Sequence, residues 1–371
     1  MSGDSARRIA VELPYGAVMA TGGASRVAGM CGLVGLSEPL LWLAVGEAAW
    51  IAASAAARHR ANWRHWLAAL WRRPGRPGAQ SGTLTVPLGL AVVATGLATQ
   101  EGVPRAVVAP AFLAAAWLST AVCGARFVVS VARGGRPVPV DGGWFLAPAA
   151  VLGAGIAAAT GVAHTGGVER DVLAWLSLAG AVVGTAGYWA ICAAASADVV
   201  ARGSRGRPRV LWWIAAGCGG LAAASMGAAA GPRKGLWPVA LSSDLHVAAV
   251  VTWLFASTLA VLVVGWSIWW LLGIRRISTA APWPPAFSSA VLALGSLAAG
   301  KILHAPVVVT IADAVAGLTV ALWAVTAGLH VAGWTSSLGS RGHRGARHRQ
   351  FAPRDTPIGA SGDPSGSPRD R

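Results

Sequence analysis

Arg26, in the stretch Ala24-Ser25-Arg26-Val27, and Glu47 are charged side chains deep in otherwise apolar sequence. A charged group at membrane depth is costly and marks a functional site by default. Two chemistries suit this pair. Left unpaired, Arg26 attracts an anion; joined to Glu47, it closes an ion pair that serves the structure alone. Lys301 and His304 stand near the end of a later apolar run. There they either form an anion-attracting mouth or carry their polar ends out to water. Phe287 precedes the small residues Ser288-Ser289-Ala290 and is the only Phe of its run. It either packs between helices or projects into a bore and blocks it.

Other chemistries lack their residues. No Ser/His/Asp set, Walker loop or His-x-x-x-His pair occurs. Cys31, Cys123, Cys192 and Cys218 are scattered without CxxC spacing, so they are expected to be buried thiols. Neither an enzyme nor a metal or other cofactor is expected. Asp244 and His246 are two residues apart and share no helical face, which argues against a proton relay.

The elements that would position these groups are long apolar segments. The 371 residues are 55% hydrophobic and 12% charged. A crossing helix needs roughly 20 mostly apolar residues, and ten segments qualify: 13–36, 38–57, 83–99, 106–132, 143–163, 171–198, 208–231, 239–273, 283–304 and 306–334. They are continuous rather than alternating, which excludes a barrel. Arginine and lysine concentrate in every second gap. With the N-terminus inside, 23 basic residues fall in inner loops and tails and four in outer loops. Basic loops stay cytoplasmic, so both termini are expected inside. The same distribution accounts for the net charge of +16 without a nucleic-acid partner. Arg outnumbers Lys by 28 to 2 and Ala and Gly abound, a composition of GC-rich bacteria. The bacterial plasma membrane is the expected location.

Two segments lie outside the spans. Near 60–73, Trp63, Trp66, Leu67, Leu70 and Trp71 recur at helical spacing among basic residues. That pattern predicts an interfacial helix on the inner leaflet. Residues 337–371 are rich in Gly, Ser, Pro, Arg and His and predict a disordered basic tail. The domain organisation expected is therefore 1–336 in the membrane and 337–371 outside it.

Odd- and even-numbered spans differ. Odd spans hold 19 Gly and four Trp; even spans hold 10 Gly and 11 Trp. Small residues let helices approach closely inside a bundle, so odd helices are expected inside and even ones outside. The chain then reads as five helical hairpins, with five inner helices around a central pathway. Acidic residues within the spans (Glu47, Asp244 and Asp313, with Asp198 near an inner end) all lie on even helices. The acidic lining of a cation pathway is absent. Small residues of the odd spans (Thr21, Gly22, Thr95, Gly96, Gly153, Gly217, Gly220, Ala290 and Gly295) are expected to line a narrow, weakly polar bore.

The segment Leu13-Pro14-Tyr15-Gly16-Ala17-Val18-Met19-Ala20-Thr21-Gly22-Gly23 resembles the P-G-Y/W-F-A-x-V-M-x-T-G opening of the tellurite-resistance/C4-dicarboxylate transporter family. That family includes bacterial tellurite-resistance membrane proteins, a yeast malic acid transporter and the plant slow anion channels. Trp144-Phe145-Leu146-Ala147-Pro148 is similar to its W-F-I-P-P entry to the fifth helix, and the segment from Phe287 to Ser296 to its ninth helix. The resemblance implies a ten-helix bundle with a pseudo-five-fold central pore, assembled as a homotrimer, in which Phe287 occludes the pore. Gly16, Ala147 and Arg26 depart from the family pattern.

The expectation is an all-α membrane protein that passes small anions, inorganic or C4-dicarboxylate, with the lipid bilayer as its other partner. A proton-coupled dicarboxylate carrier is the alternative. From another class, the alternative is a non-transporting scaffold or sensor acting through its basic tail.

Overall fold

The computed structural model describes residues 3–59, 77–102, 104–133, 140–202, 212–231, 237–273 and 283–348. Among the described residues there is no strand, and ten α-helices follow one another. They are α1 (Gly3–Met30), α2 (Val34–His59), α3 (Pro77–Ala98), α4 (Ala109–Arg133), α5 (Leu146–Val162), α6 (Gly167–Arg202), α7 (Trp212–Ala230), α8 (Val239–Gly273), α9 (Trp283–Ile302) and α10 (Pro306–His348). A π-helical turn, Pro104–Val108, leads into α4, and a 3-10 turn, Gly142–Phe145, leads into α5. Seven helical segments, covering α4 to α10, are long and apolar enough to cross a membrane. In α3 the apolar part, Thr83–Ala98, is shorter. The chain is an all-α protein with the helices of a multi-pass membrane protein.

Short links turn the chain at one end of each hairpin, and their backbone explains where the helices stop. After α1 the Leu33 N–H reaches back to the Ala28 carbonyl at 2.9 Å, and Gly32 takes φ of 73°. That left-handed closing residue suits glycine, which has no Cβ to clash. It places the turn at residues 31–33, earlier than the span boundary at 36 read from hydropathy. After α9 the Ala305 N–H bonds the Gly300 carbonyl at 2.9 Å in the same way, but there the left-handed residue is His304, at φ of 51°. At the start of α5, the Asp141 carboxylate accepts from the Gly143 N–H at 2.8 Å, a side-chain cap. Asp198, near the end of α6, accepts from the Val140 N–H at 3.1 Å and ties that helix to the entry of α5.

Odd helices are the inner ones. In the most apolar stretches of α5, α7 and α9, 67%, 78% and 61% of residues are buried; in α4, α8 and α10 the shares are 17%, 28% and 22%. The α6 stretch is intermediate at 50%. Each odd helix packs on the next: α1 on α3, α3 on α5, α5 on α7, α7 on α9, and α9 back on α1. Even helices pack on the odd helix of their own hairpin, as α2 does on α1 and α4 on α3, and touch the following one. Their outer faces carry exposed apolar side chains such as Trp50, Leu118, Val261 and Leu318. Exposed apolar surface on this scale fits hydrocarbon rather than water.

The last helix, α10, is helical as far as His348. Once a helix is nucleated, each added residue gains one hydrogen bond, so polar sequence extends it at little cost. Residues 349–371 and the interfacial helix predicted near 60–73 lie outside the described residues. The chain divides into two compact units, Met1–Thr326 and Ala327–Arg371.

Candidate functional site

The contacts of α1 fix which way each of its side chains points. Thr21 accepts a hydrogen bond from the Trp323 indole N–H of α10 at 3.1 Å. Ser25 and Ser37 of α2 exchange hydroxyl-to-carbonyl hydrogen bonds of 2.7 and 2.9 Å. Thr21 and Ser25 therefore mark the outer side of α1. A Cβ at Gly22 would meet Val92 of α3, and one at Gly23 would lie 3.1 Å from Ala290 of α9. Val27 also packs with Ala290 and Ala293 of α9. At 3.6 residues per turn, the arc left between the α3 and α9 contacts carries Met19 and Arg26. That arc is opposite the outer side. Arg26 thus faces the middle of the cycle of odd helices, half-buried.

The same reasoning places Phe287. On α9, Ser289 accepts from the Thr319 hydroxyl of α10 at 2.9 Å, and Ser296 accepts from the Trp253 indole N–H of α8 at 2.9 Å. Ser288, Leu292 and Gly295 lie against Gly217 and Gly220 of α7, while Ala290 lies against Gly23 of α1. Phe287 falls on the remaining arc, between the α7 and α1 contacts, together with Leu294. It is 5% exposed, and its ring edge would be 3.8 Å from a Cβ on Gly23. Arg26 is three residues further along α1 than Gly23, about 4.5 Å at roughly 1.5 Å per residue. The arrangement holds a phenyl ring and a guanidinium on inward arcs of neighbouring helices, one turn apart.

The Arg26–Glu47 ion pair is not formed. Among the described residues Glu47 hydrogen-bonds the Thr21 side chain instead, and its Oε2 has no partner. The reason is geometric: Thr21 and Glu47 meet on the outer side of α1, whereas Arg26 is on the inner side. Lys301 is exposed at the end of α9, and His304 is the left-handed residue just beyond it.

The small residues expected to line a bore lie at contacts between helices or bond within their own helix. Gly22 meets Val92, Gly96 meets Leu41 of α2, and Gly153 meets Leu88 of α3. A Cβ on Gly217 would come within 2.8 Å of Ser288, and one on Gly220 or Gly295 would strike the facing backbone at 2.7 or 2.5 Å. Ala290 lies against Gly23, Thr21 points outward, and the buried Thr95 hydroxyl bonds its own Ala91 carbonyl at 2.8 Å. Small size is what a close helix crossing demands, and the crossings claim these positions. Sequence reasoning missed the other half of the pattern, in which tryptophans of even helices donate inward to hydroxyls of odd ones. The enrichment of Trp on even spans was the only signal, since Ser and Thr are spread over both sets.

Among the described residues no group of three or more His, Cys, Asp or Glu side chains is placed to hold a metal ion. No protein-family model matches the chain, and no curated protein matches it.

Proposed function

We infer that the protein is a plasma-membrane channel or transporter for small anions, inorganic or C4-dicarboxylate. Ten crossings form five hairpins with pseudo-five-fold symmetry, and the pathway runs down the middle of the five odd helices. The observation that carries this reading is the shared inward position of Phe287 and Arg26. Each was singled out in the sequence on separate grounds, and neither is spent on an ion pair or hydrogen bond among the described residues. The phenyl ring closes the pathway, and the guanidinium one turn away offers an approaching anion its charge-assisted hydrogen bonds. The resemblance to the tellurite-resistance/C4-dicarboxylate transporter family supports the same roles and adds assembly as a homotrimer.

Phe287→Ala is expected to raise anion flux in liposomes severalfold, and Arg26→Gln on that background to shift the reversal potential toward lower anion selectivity. Chloride, nitrate, sulfite and malate gradients give the selectivity sequence. Unchanged conductance in a folded Phe287→Ala protein removes the gate. The proton-coupled carrier would show saturable uptake driven by a pH gradient. Its natural carboxylate, Glu47, sits on the outer side of α1, away from the proposed pathway. A scaffold acting through its tail would lose its role without residues 337–371, a deletion that leaves the channel's flux unchanged.

A further inference from the structure

A cleft of about 670 Å³ opens at the end of the bundle where α3 turns into α4 and α5 into α6. Its volume is in the range of small-molecule sites, roughly 300–1,000 Å³. Within the helices it is lined by Ala94 of α3, Leu113 and Trp117 of α4, Ala157 of α5, and Leu173 and Leu176 of α6. These are small or apolar surfaces, apart from the Trp117 indole N–H, which is buried without a hydrogen-bond partner among the described residues. The rim is different: Arg105, His164 and Glu169 all border the cleft. The Arg105 Nη1 lies 3.4 Å from the His164 Nδ1. A guanidinium only donates, so that ring nitrogen accepts, and this contact leaves the other guanidinium N–H groups and the imidazole Nε2–H unused. Among the described residues Glu169 forms no ion pair with either. The rim therefore presents an anion-binding pair and a separate carboxylate above an apolar slot.

The surroundings give the depth of this rim in the membrane. Val107 and Val168, next in sequence to the cleft's Ala106 and Glu169, are 64% and 79% exposed, and Trp175, two residues beyond the cleft's Leu173 on α6, is 55% exposed. Trp175 stacks edge-on with Trp237, at the start of α8, with ring centroids 6.0 Å apart. Exposed apolar side chains beside paired tryptophans are the pattern of the level where hydrocarbon gives way to headgroups. A cleft at that level, apolar below and doubly charged above, matches a molecule with a tail and a zwitterionic head.

We propose that this cleft is a phospholipid site selective for an ethanolamine headgroup. One acyl chain fills the apolar slot, the phosphate is held by Arg105 and His164, and the ammonium is held by Glu169. A purely anionic lipid satisfies the first pair and is repelled by the carboxylate, and a free phosphate compound gains nothing from the slot.

The test uses the full-length protein, delipidated in detergent and titrated with dioleoylphosphatidylethanolamine or dioleoylphosphatidylglycerol under native mass spectrometry. One ethanolamine lipid per chain should be retained in preference to the glycerol lipid. Arg105→Gln should weaken both by roughly tenfold, the worth of a charge-assisted hydrogen bond. Glu169→Gln should abolish the preference while keeping the binding. Ala157→Phe, which fills the slot, should remove both lipids, and glycerophosphoethanolamine without chains should fail to compete. Equal binding of both lipids to the unaltered protein, or binding indifferent to Arg105→Gln and Ala157→Phe, overturns the proposal. So does cross-linking of a cysteine at Thr165 to a second copy of the chain with no lipid retained, which would assign the cleft to a subunit contact. None of these readouts depends on anion flux.

Discussion

Arg26 and His304 show how much a single residue's setting decides. Arg26 has the composition of a salt-bridge partner, yet the helix turns it away from Glu47 and toward the middle of the cycle of odd helices. His304 was a candidate for an anion-attracting mouth, yet its backbone sits at φ of 51°, in the left-handed region that costs an L-residue about 1–2 kcal/mol. Its ring bonds locally, with Nδ1 3.2 Å from the Ile302 carbonyl. His304→Gly should therefore raise stability by about 0.5–1 kcal/mol, after allowing for glycine's freer unfolded chain. The measurement is a thermal melt in detergent alongside anion flux. A higher Tm with unaltered flux identifies the residue as a turn; a loss of flux would restore it to the mouth.

Between helices, the glycines do most of the deciding. A Cβ added to Gly180 of α6 would lie 2.6 Å from the Gly155 Cα and 3.1 Å from the Val151 carbonyl oxygen of α5. Those are backbone atoms, which cannot rotate aside. Gly180→Leu should therefore force the α5–α6 hairpin apart, at a cost of at least about 1–3 kcal/mol. Gly124→Leu on α4, where nothing lies within 4 Å, should be tolerated. A thermal melt of the two variants separates them, and equal Tm values would contradict the crossing. The inward hydrogen bonds from Trp253 and Trp323 are smaller fixings, each worth about 0.6 kcal/mol by analogy with other membrane helices.

At the scale of the whole molecule, the alternation of basic loops and the alternation of inner and outer helices are one pattern seen twice. An odd helix always follows an arginine-bearing segment and an even helix always leads back to one. If that pattern sets orientation, cysteines at Gly102 and Gly166 on a cysteine-free background should react with an impermeant maleimide in intact spheroplasts. One at Ser204 should react only after the membrane is opened. Labelling of Ser204 from outside would reverse the topology and move the lipid cleft to the inner leaflet.

The order of the helices among the described residues, and the inner or outer class of most of them, were legible in the sequence, because hydropathy and the Gly/Trp contrast are properties of single segments. Phe287, Arg26 and Glu47 were legible as unusual residues for the same reason. What the sequence did not carry was which way they face. That depends on the rotation of each helix about its axis, set by contacts between residues far apart in the chain, such as Thr21 with Trp323 and Gly23 with Ala290. Those contacts separate Arg26 from Glu47, take the small residues for helix crossings, and gather Arg105, His164 and Glu169 over one cleft. Only the tertiary structure decides such rotations, since a helix's own hydrogen bonds are satisfied equally well at every angle.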